Sequence, residues 1–414
     1  MVQNLRLKTI FKGLASYGAA EGVAKGLNII SILMMSYFLE VGVFGKVSLL
    51  LMFELLFLEM VVVGQHHSVL RYGANKNLYK IILLGLGISA VSFTLWALLI
   101  AIFVDSIISI PKSLLLLLLF AAFLQGYIQI ILANYRVSGL INSYAIIRIG
   151  FQLLKLSILY VLISFERNLS FYPESLIASG VLTILVIAAL SLVHRSTRSN
   201  NIKNDPSLAL NLKVGFPLGL HAVIGVTYTF VDRIMIGRLL DFESLGIYQL
   251  ASTLGLSAFF FVNVVALFFT PQIYSNSNNL SNAKKLLNSF SIISSVGIVF
   301  ISIFVYILAV NFIHFFDESY KNIIPLLPLF FLVLMVQTLN LYGLYGLTML
   351  EKVKFVPLIT ISALLLHLLL SKILITWMDI KGAILSLIIS ELVYATSLFY
   401  LFSKEYKRKI KNVS

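Results

Sequence analysis

The chain has 414 residues, 59% hydrophobic and 12% charged, with mean hydropathy +0.98 and a formal net charge of +14. A soluble domain carries about 25% charged residues, so this composition excludes a water-soluble fold and requires lipid as the solvent. There is no cysteine, hence no disulfide and no thiolate chemistry. The positive charge needs no nucleic-acid partner once its placement along the chain is considered.

Apolar windows of about 20 residues suit a bilayer crossing. They fall near 14–38, 46–65, 79–103, 113–135, 144–164, 175–194, 213–237, 246–270, 285–310, 322–348, 354–377 and 382–402. The expected fold is therefore an all-α integral membrane protein of twelve transmembrane helices. Met1–Lys12 is basic and precedes an apolar run, like a signal peptide. Glu21 and Lys25 interrupt that run and no clean cleavage site follows, so it reads as an uncleaved first span.

Loop charge sets the expected orientation. With the N-terminus in the cytoplasm, twenty basic residues lie inside, from Arg6, Lys8 and Lys12 to Lys404, Lys407, Arg408, Lys409 and Lys411. Seven lie outside: Lys46, Lys112, Arg167, Arg238, Lys321, Lys372 and Lys381. The positive-inside rule then gives N-in and C-in, and the basic side also favours anionic lipid.

The longest polar connection, 195–212, contains Pro206 and reads as a cytoplasmic linker. It separates an N-terminal six-helix bundle, 1–194, from a C-terminal six-helix bundle with a basic tail, 213–414. The stretch Lys213–Ala251, moved back by 201 residues, lands on Lys12–Leu50. Lys213 falls on Lys12, Gly219 on Gly18, Met235 on Met34, Leu240 on Leu39, Asp241 on Glu40 and Gly246 on Gly45. Both stretches consist of two apolar runs around a tight acidic turn. Two pseudo-symmetric halves that rock about a central site are a transporter device.

The charges left inside the spans are Lys25, Arg148, Lys155 and Arg233, with Glu21, Glu54, Glu59, Asp232 and Glu391. On insertion scales each costs about 2.5–3.5 kcal/mol at mid-bilayer, so each needs a partner or a wet cavity. In the first span Gly18, Gly22 and Gly26 form a smooth strip for close helix packing, beside Glu21, Lys25 and Asn28 at i, i+4, i+7. Glu21 and Lys25 either neutralise each other locally or line a cavity. In the second span Glu54 and Glu59 stand about 140° apart. Either one serves a proton or sodium step, or each pairs with a lysine from another span.

In the fifth span Arg148, Gln152 and Lys155 also follow i, i+4, i+7, and no acid of that span neutralises them. The pattern reads as a cationic stripe facing water or an anion, unless Arg148 snorkels to the headgroups. In the seventh span His221, Gly225, Tyr228 and Asp232 share a face, and Pro217 lets the first turns open. Asp232 and Arg233 point about 100° apart and are not expected simply to pair. Arg233, near the outer end, is expected to reach outward. His66 and His67 diverge on a helix and lack a third ligand, so no metal site is expected. Gln125, Gln129, Asn263, Gln337, Asn340, His367, Ser390 and Glu391 are expected mainly to hydrogen-bond helix to helix.

The string Asp-Arg-Ile-Met-Ile-Gly at 232–237, followed by Leu-Gly-Ile-Tyr at 245–248, resembles the seventh and eighth helices of the polysaccharide-transport family. These are the O-antigen type lipid-linked oligosaccharide flippases of the multidrug/oligosaccharidyl-lipid/polysaccharide exporter superfamily. Gly64–Tyr72 resembles that family's second-helix exit. The resemblance implies a multi-pass protein of the bacterial cytoplasmic (inner) membrane that flips undecaprenyl-diphosphate-linked oligosaccharide by alternating access. It also implies a cavity lined by charged residues of the first and seventh helices.

Enzyme signatures are missing: there is no phosphate-binding Gly-rich loop, HExxH or GxSxG. No nucleotide site suggests a primary pump, and no cofactor is expected beyond H+ or Na+ as coupling ion. On the flippase reading Lys25, Asn28, Arg148, Gln152, Lys155 and Arg233 bind the diphosphate and glycan. Glu21, Glu54, Glu59 and Asp232 are the ion-coupling candidates. Polysaccharide polymerase and chain-length proteins are possible partners, and the product would be O-antigen or a related surface polysaccharide. The alternatives are a cation-coupled multidrug antiporter of the same superfamily and a non-transporting scaffold of a polysaccharide assembly complex.

Overall fold

A computed structural model of the chain describes residues 2–72, 78–103, 106–107, 110–165, 168–194, 208–276, 279–350 and 352–411. Part of the expected linker, 195–207, and the expected loop residues Lys76, Asp105 and Arg167 lie outside the described residues. So do positions 277–278 of the polar run near 275–282. In lipid every backbone polar group must be satisfied within the span, which makes long apolar runs helical.

The helices are α1 (Val2–Phe38), α2 (Val41–Val62), α3 (Gln65–Tyr72), α4 (Leu78–Phe103), α5 (Lys112–Val137), α6 (Ile141–Phe165) and α7 (Phe171–His194). They continue as α8 (Leu208–Leu239), α9 (Phe242–Gly255), α10 (Phe259–Ser275), α11 (Leu280–Phe312), α12 (Leu327–Met349) and α13 (Val356–Lys411). A two-residue β-ribbon, Ser106–Ile107 with Ile110–Pro111, joins α4 to α5.

Among the described residues eleven helical stretches are long and apolar enough to cross a membrane. The last of them, α13, breaks at Asp379, whose φ is +51°. That break separates 356–378 from 380–411 and makes twelve spans, at the positions expected from hydropathy. Residues 208–212, which the sequence suggests as the end of a linker, form the opening turns of α8. The helix runs on through Pro217.

The chain forms two compact units. Unit 1 comprises Met1–Leu39 and Lys46–Thr227; unit 2 comprises Glu40–Gly45 and Tyr228–Ser414. The core of unit 1 gathers Tyr144, Ile147 and Phe151 of α6 with Ala20 of α1 and Ile128 of α5. That of unit 2 gathers Phe290, Leu334, Leu398 and Phe402. Large apolar side chains such as Phe103, Phe165, Phe300 and Trp377 stay exposed on the outside, where lipid would solvate them.

Two local features show how glycine positions the helices. The α2 helix stops where Val63 and Gly64 take φ values of +49° and +66°. Left-handed geometry is costly for a β-branched residue, and here the backbone is held by packing within unit 1. A Cβ on Gly64 would stand 2.3 Å from the Gly215 carbonyl oxygen, and one on Gly219 2.6 Å from the Val63 carbonyl carbon.

The second feature carries the half-repeat into three dimensions. In unit 2 a Cβ on Gly45 would lie 1.8 Å from the Phe242 carbonyl oxygen, and one on Gly246 2.3 Å from that of Val41. Gly45 and Gly246 correspond under the 201-residue offset, and so do Val41 and Phe242. The first turns of α2 and α9 therefore cross through a reciprocal backbone contact. The strip at Gly18 and Gly26 behaves otherwise: a Cβ there would meet nothing within 4 Å. The expected close packing is not formed at these two positions.

Candidate functional site

The polar residues inside the spans collect into two networks, one in each unit. In unit 1 the rungs run between α1 and α6. Arg148 grips Glu21 with two parallel hydrogen bonds, Nε to Oε1 and Nη2 to Oε2, both 3.1 Å. Lys155 Nζ donates to Asn28 Oδ1 at 3.3 Å. Both rungs join positions 127 apart, so the two helices run parallel and advance by seven residues together. Seven residues turn a helix by about 700°, which returns each side chain to the same face about 10.5 Å further on.

Glu21 is the hub of the first rung. Arg136 of α5 donates to it at 3.2 Å, and the Tyr144 hydroxyl bonds to both Glu21 and Arg136. Lys25 lies within electrostatic reach of Glu21 and Arg148. The expected unneutralised stripe is thus corrected at Arg148. Its acid is on α1, a partner invisible to a reading of α6 alone, and a fork-to-carboxylate pair outcompetes snorkelling. Glu21 thus answers to Arg148 and Arg136 in addition to the neighbouring Lys25 of its own helix. Arg136, which the sequence reading leaves as a loop charge, is part of the site.

Lys155 has no carboxylate partner among the described residues. It is 3% exposed and lies 5.4 Å over the Tyr172 ring. The Tyr172 hydroxyl donates to Glu54 Oε2, and Gln125 Nε2 donates to Glu54 Oε1 at 2.8 Å. Glu54 is buried with neutral partners, so the expected alternative of a lysine pair is not met. Glu59 has one buried oxygen without a partner, as has Gln152. Structure thus brings Glu21, Lys25, Asn28, Arg148 and Lys155 to one α1–α6 seam. Glu54 joins that seam through Tyr172.

In unit 2, Arg233 of α8 is buried rather than directed outward. Its guanidinium donates to Gln249 Oε1 (2.8 Å) and Ser252 Oγ (3.0 Å) of α9 and to the Thr229 carbonyl (3.1 Å). Phe230 and Tyr248 cover it, with ring centroids 4.6 and 5.4 Å away. It also pairs with Asp232, Nη1 to Oδ1 at 3.6 Å. The expectation that the two would not pair fails because a long guanidinium folds back across the 100° between neighbouring positions. Asp232 is fully buried. Its Oδ1 accepts the Arg233 backbone N–H at 2.9 Å, while Oδ2 has no partner.

Nearby in the same unit, Glu391 is held by Gln337 Nε2 (3.2 Å) and by Asn340 Nδ2. Tyr228 donates to Ser390 at 3.1 Å, and its ring lies 5.6 Å from that of His367. His367 sits against the hydrogen-bonded pair Ser371–Ser386. Glu391 is the acid that reading spans one at a time undervalues. Its signal in sequence is a lone carboxylate in an otherwise apolar last span. His221, on the same helix as Tyr228 and Asp232, is exposed.

Outside the spans, His66 and His67 stack at 3.9 Å. Burial, with His67 and Arg136 close by, pushes His66 down to about 3. No group of three metal-ligating side chains occurs among the described residues.

No family model matches the chain, and no curated protein matches it. Solved structures do. An inward-facing conformation of a multidrug resistance MATE family transporter of the MOP superfamily is similar, with TM-score 0.78 and 15% identity, over 95% of this chain and 96% of that one. An outward-facing conformation gives TM-score 0.71 at 14% identity over 96% of each chain. The eukaryotic MATE transporter AtDTX14 gives 0.61 at 15% identity, over 98% of this chain and 99% of that one. At 14–15% identity the likeness is one of fold: this multi-pass chain has the twelve-helix, two-bundle fold of the MATE transporters.

Proposed function

We propose that the chain is an alternating-access exporter of cationic, amphipathic small molecules, coupled to a proton or sodium gradient. The observation that carries this reading is the neutralisation of Arg148 by Glu21. It neutralises one of the two cations of the stripe that argued for an anionic substrate. Beside Lys155, and Arg233 which pairs with Asp232, three carboxylates are buried: Glu54, Asp232 and Glu391. Glu54 and Glu391 are held by neutral donors, so either can exchange a hydrogen bond for an incoming cation or proton without breaking an ion pair. Asp232 keeps one oxygen unsatisfied. The likeness in fold to multidrug resistance transporters supports this assignment. In it Glu54 and Glu391 are the leading coupling residues, Asp232 is a further one, and Glu21 holds the basic side chains in place. The membrane orientation we adopt is N-in and C-in, from the loop charges.

The test is dye export. The purified chain in proteoliposomes should move ethidium against its gradient when a proton or sodium gradient is imposed. Glu391→Gln or Glu54→Gln should abolish coupling while the protein still folds. No transport under either gradient would refute the proposal.

A second reading, the lipid-linked oligosaccharide flippase, is favoured by one feature: Lys155 is buried with neutral partners only. A diphosphate would supply its missing anion. On this reading deletion of the gene leaves undecaprenyl-diphosphate-linked precursor on the cytoplasmic leaflet, and Lys155→Ala fails to restore transfer.

A further inference from the structure

The last helix ends far beyond what a membrane span needs. Residues 380–411 reach about 48 Å as a helix, whereas the hydrocarbon core is about 30 Å thick. The surplus carries Lys404, Lys407, Arg408, Lys409 and Lys411. It does not run free, because one face is bolted to unit 2. Phe402 lies in the core, and Tyr406 packs on Phe402 with ring centroids 5.7 Å apart. The Tyr406 hydroxyl points at the Leu280 carbonyl, and Lys284 covers its ring at 4.8 Å.

Beside that fixed face, the helix closes a cavity of about 320 Å³ against the turn that follows α12. Its lining is Leu350, Lys352, Glu405, Arg408 and Lys409. Glu405 reaches Lys352 at 3.8 Å and fixes it in the wall. Three cations thus face one carboxylate, and Arg408 and Lys409 have no ion pair among the described residues. Both elements, the end of α12 and the end of α13, leave the membrane on the same side. The cavity therefore lies at headgroup depth, with apolar Leu350 on its wall.

We propose that this cavity binds the phosphate of an anionic phospholipid headgroup. Arg408 supplies the fork geometry that matches two phosphate oxygens, and Lys409 and Lys352 add point charges. Basic residues serving only to orient the chain would need no cavity and no fixed wall. The lipid, rather than free phosphate, is the occupant because acyl chains hold the headgroup at this depth at high local concentration.

The experiment uses the full chain in detergent and native mass spectrometry, with palmitoyl-oleoyl phosphatidylglycerol and phosphatidylcholine as probes. The wild type should retain phosphatidylglycerol in preference. Arg408→Gln with Lys409→Gln should lower that retention about thirtyfold, at the usual contribution of a basic residue to anionic-lipid attraction. Lys372→Gln with Lys381→Gln removes the same charge from exposed positions on either side of the Asp379 break in α13 and should change nothing. Equal retention of the two lipids, or equal loss in both variants, overturns the proposal. Displacement of the lipid by millimolar inorganic phosphate would reassign the site to a soluble anion and overturn it as well.

Discussion

Arg233 is expected to act as a structural post, and its removal is the sharpest test of the unit 2 network. Arg233→Met keeps most of the side-chain volume but leaves fully buried Asp232 without its cation. Breaking a buried pair from one side costs about 3–5 kcal/mol. The acceptors on Gln249, Ser252 and Thr229 lose their donor in addition. Gln249 still donates to Thr253 at 3.1 Å, so part of the polar cost is absorbed locally. Arg233→Lys keeps the charge but cannot reach three acceptors on two helices at once, and should cost less than Met. Asp232→Asn added to Arg233→Met removes the stranded charge and should recover at least half of the loss. The assay is unfolding of the purified protein in detergent, followed by intrinsic fluorescence. Wild-type stability in Arg233→Met, or a further loss on adding Asp232→Asn, would refute the reasoning.

Other outcomes follow from the same contacts. Glu21→Gln strands Arg148 and Arg136 together and should lower both stability and export, whereas Glu21→Asp should lose only the bidentate geometry; the two variants are compared by unfolding and dye flux. Gly45→Val and Gly246→Val each drive a side chain into a facing carbonyl and should fail to reach the membrane in folded form, checked by gel-filtration yield. Tyr172→Phe removes the hydroxyl that donates to Glu54 and should lower gradient-driven export, read as dye flux, without preventing folding. His66 is held below its ordinary value of 6.5, at about 3. Its neutral form is favoured by folding, so its contribution is present above about pH 6.5 and is lost as pH falls toward 3. His66→Gln should flatten that acid-side loss of stability, measured by unfolding between those limits.

The span pattern is legible from hydropathy because lipid leaves the backbone no alternative to helix over long apolar runs. Even the break inside α13 falls where the sequence places polar Asp379 and Lys381 between two apolar stretches. The half-repeat is legible too, and the reciprocal Gly45–Phe242 and Gly246–Val41 contacts give it physical content. Partners are the part that a linear reading misses. Helical spacing shows that Arg148 and Lys155 share a face, but not that Glu21 and Asn28 stand opposite them on α1. The same limit hides Glu391 with Gln337 and Asn340, since their positions are some fifty residues apart in sequence. Arg233 is misjudged for another reason: direction from the helix axis says little about where a six-atom side chain ends.

The central claim is export coupled through buried carboxylates, and one flux experiment meets it most directly. Ethidium movement is followed in proteoliposomes under an imposed proton or sodium gradient, with wild type, Glu54→Gln and Glu391→Gln side by side. The account predicts gradient-dependent uphill movement in the wild type and its loss in at least one of the two variants. Gradient-independent or absent dye movement, together with transfer of an undecaprenyl-diphosphate glycan between leaflets that requires Lys155, would contradict it.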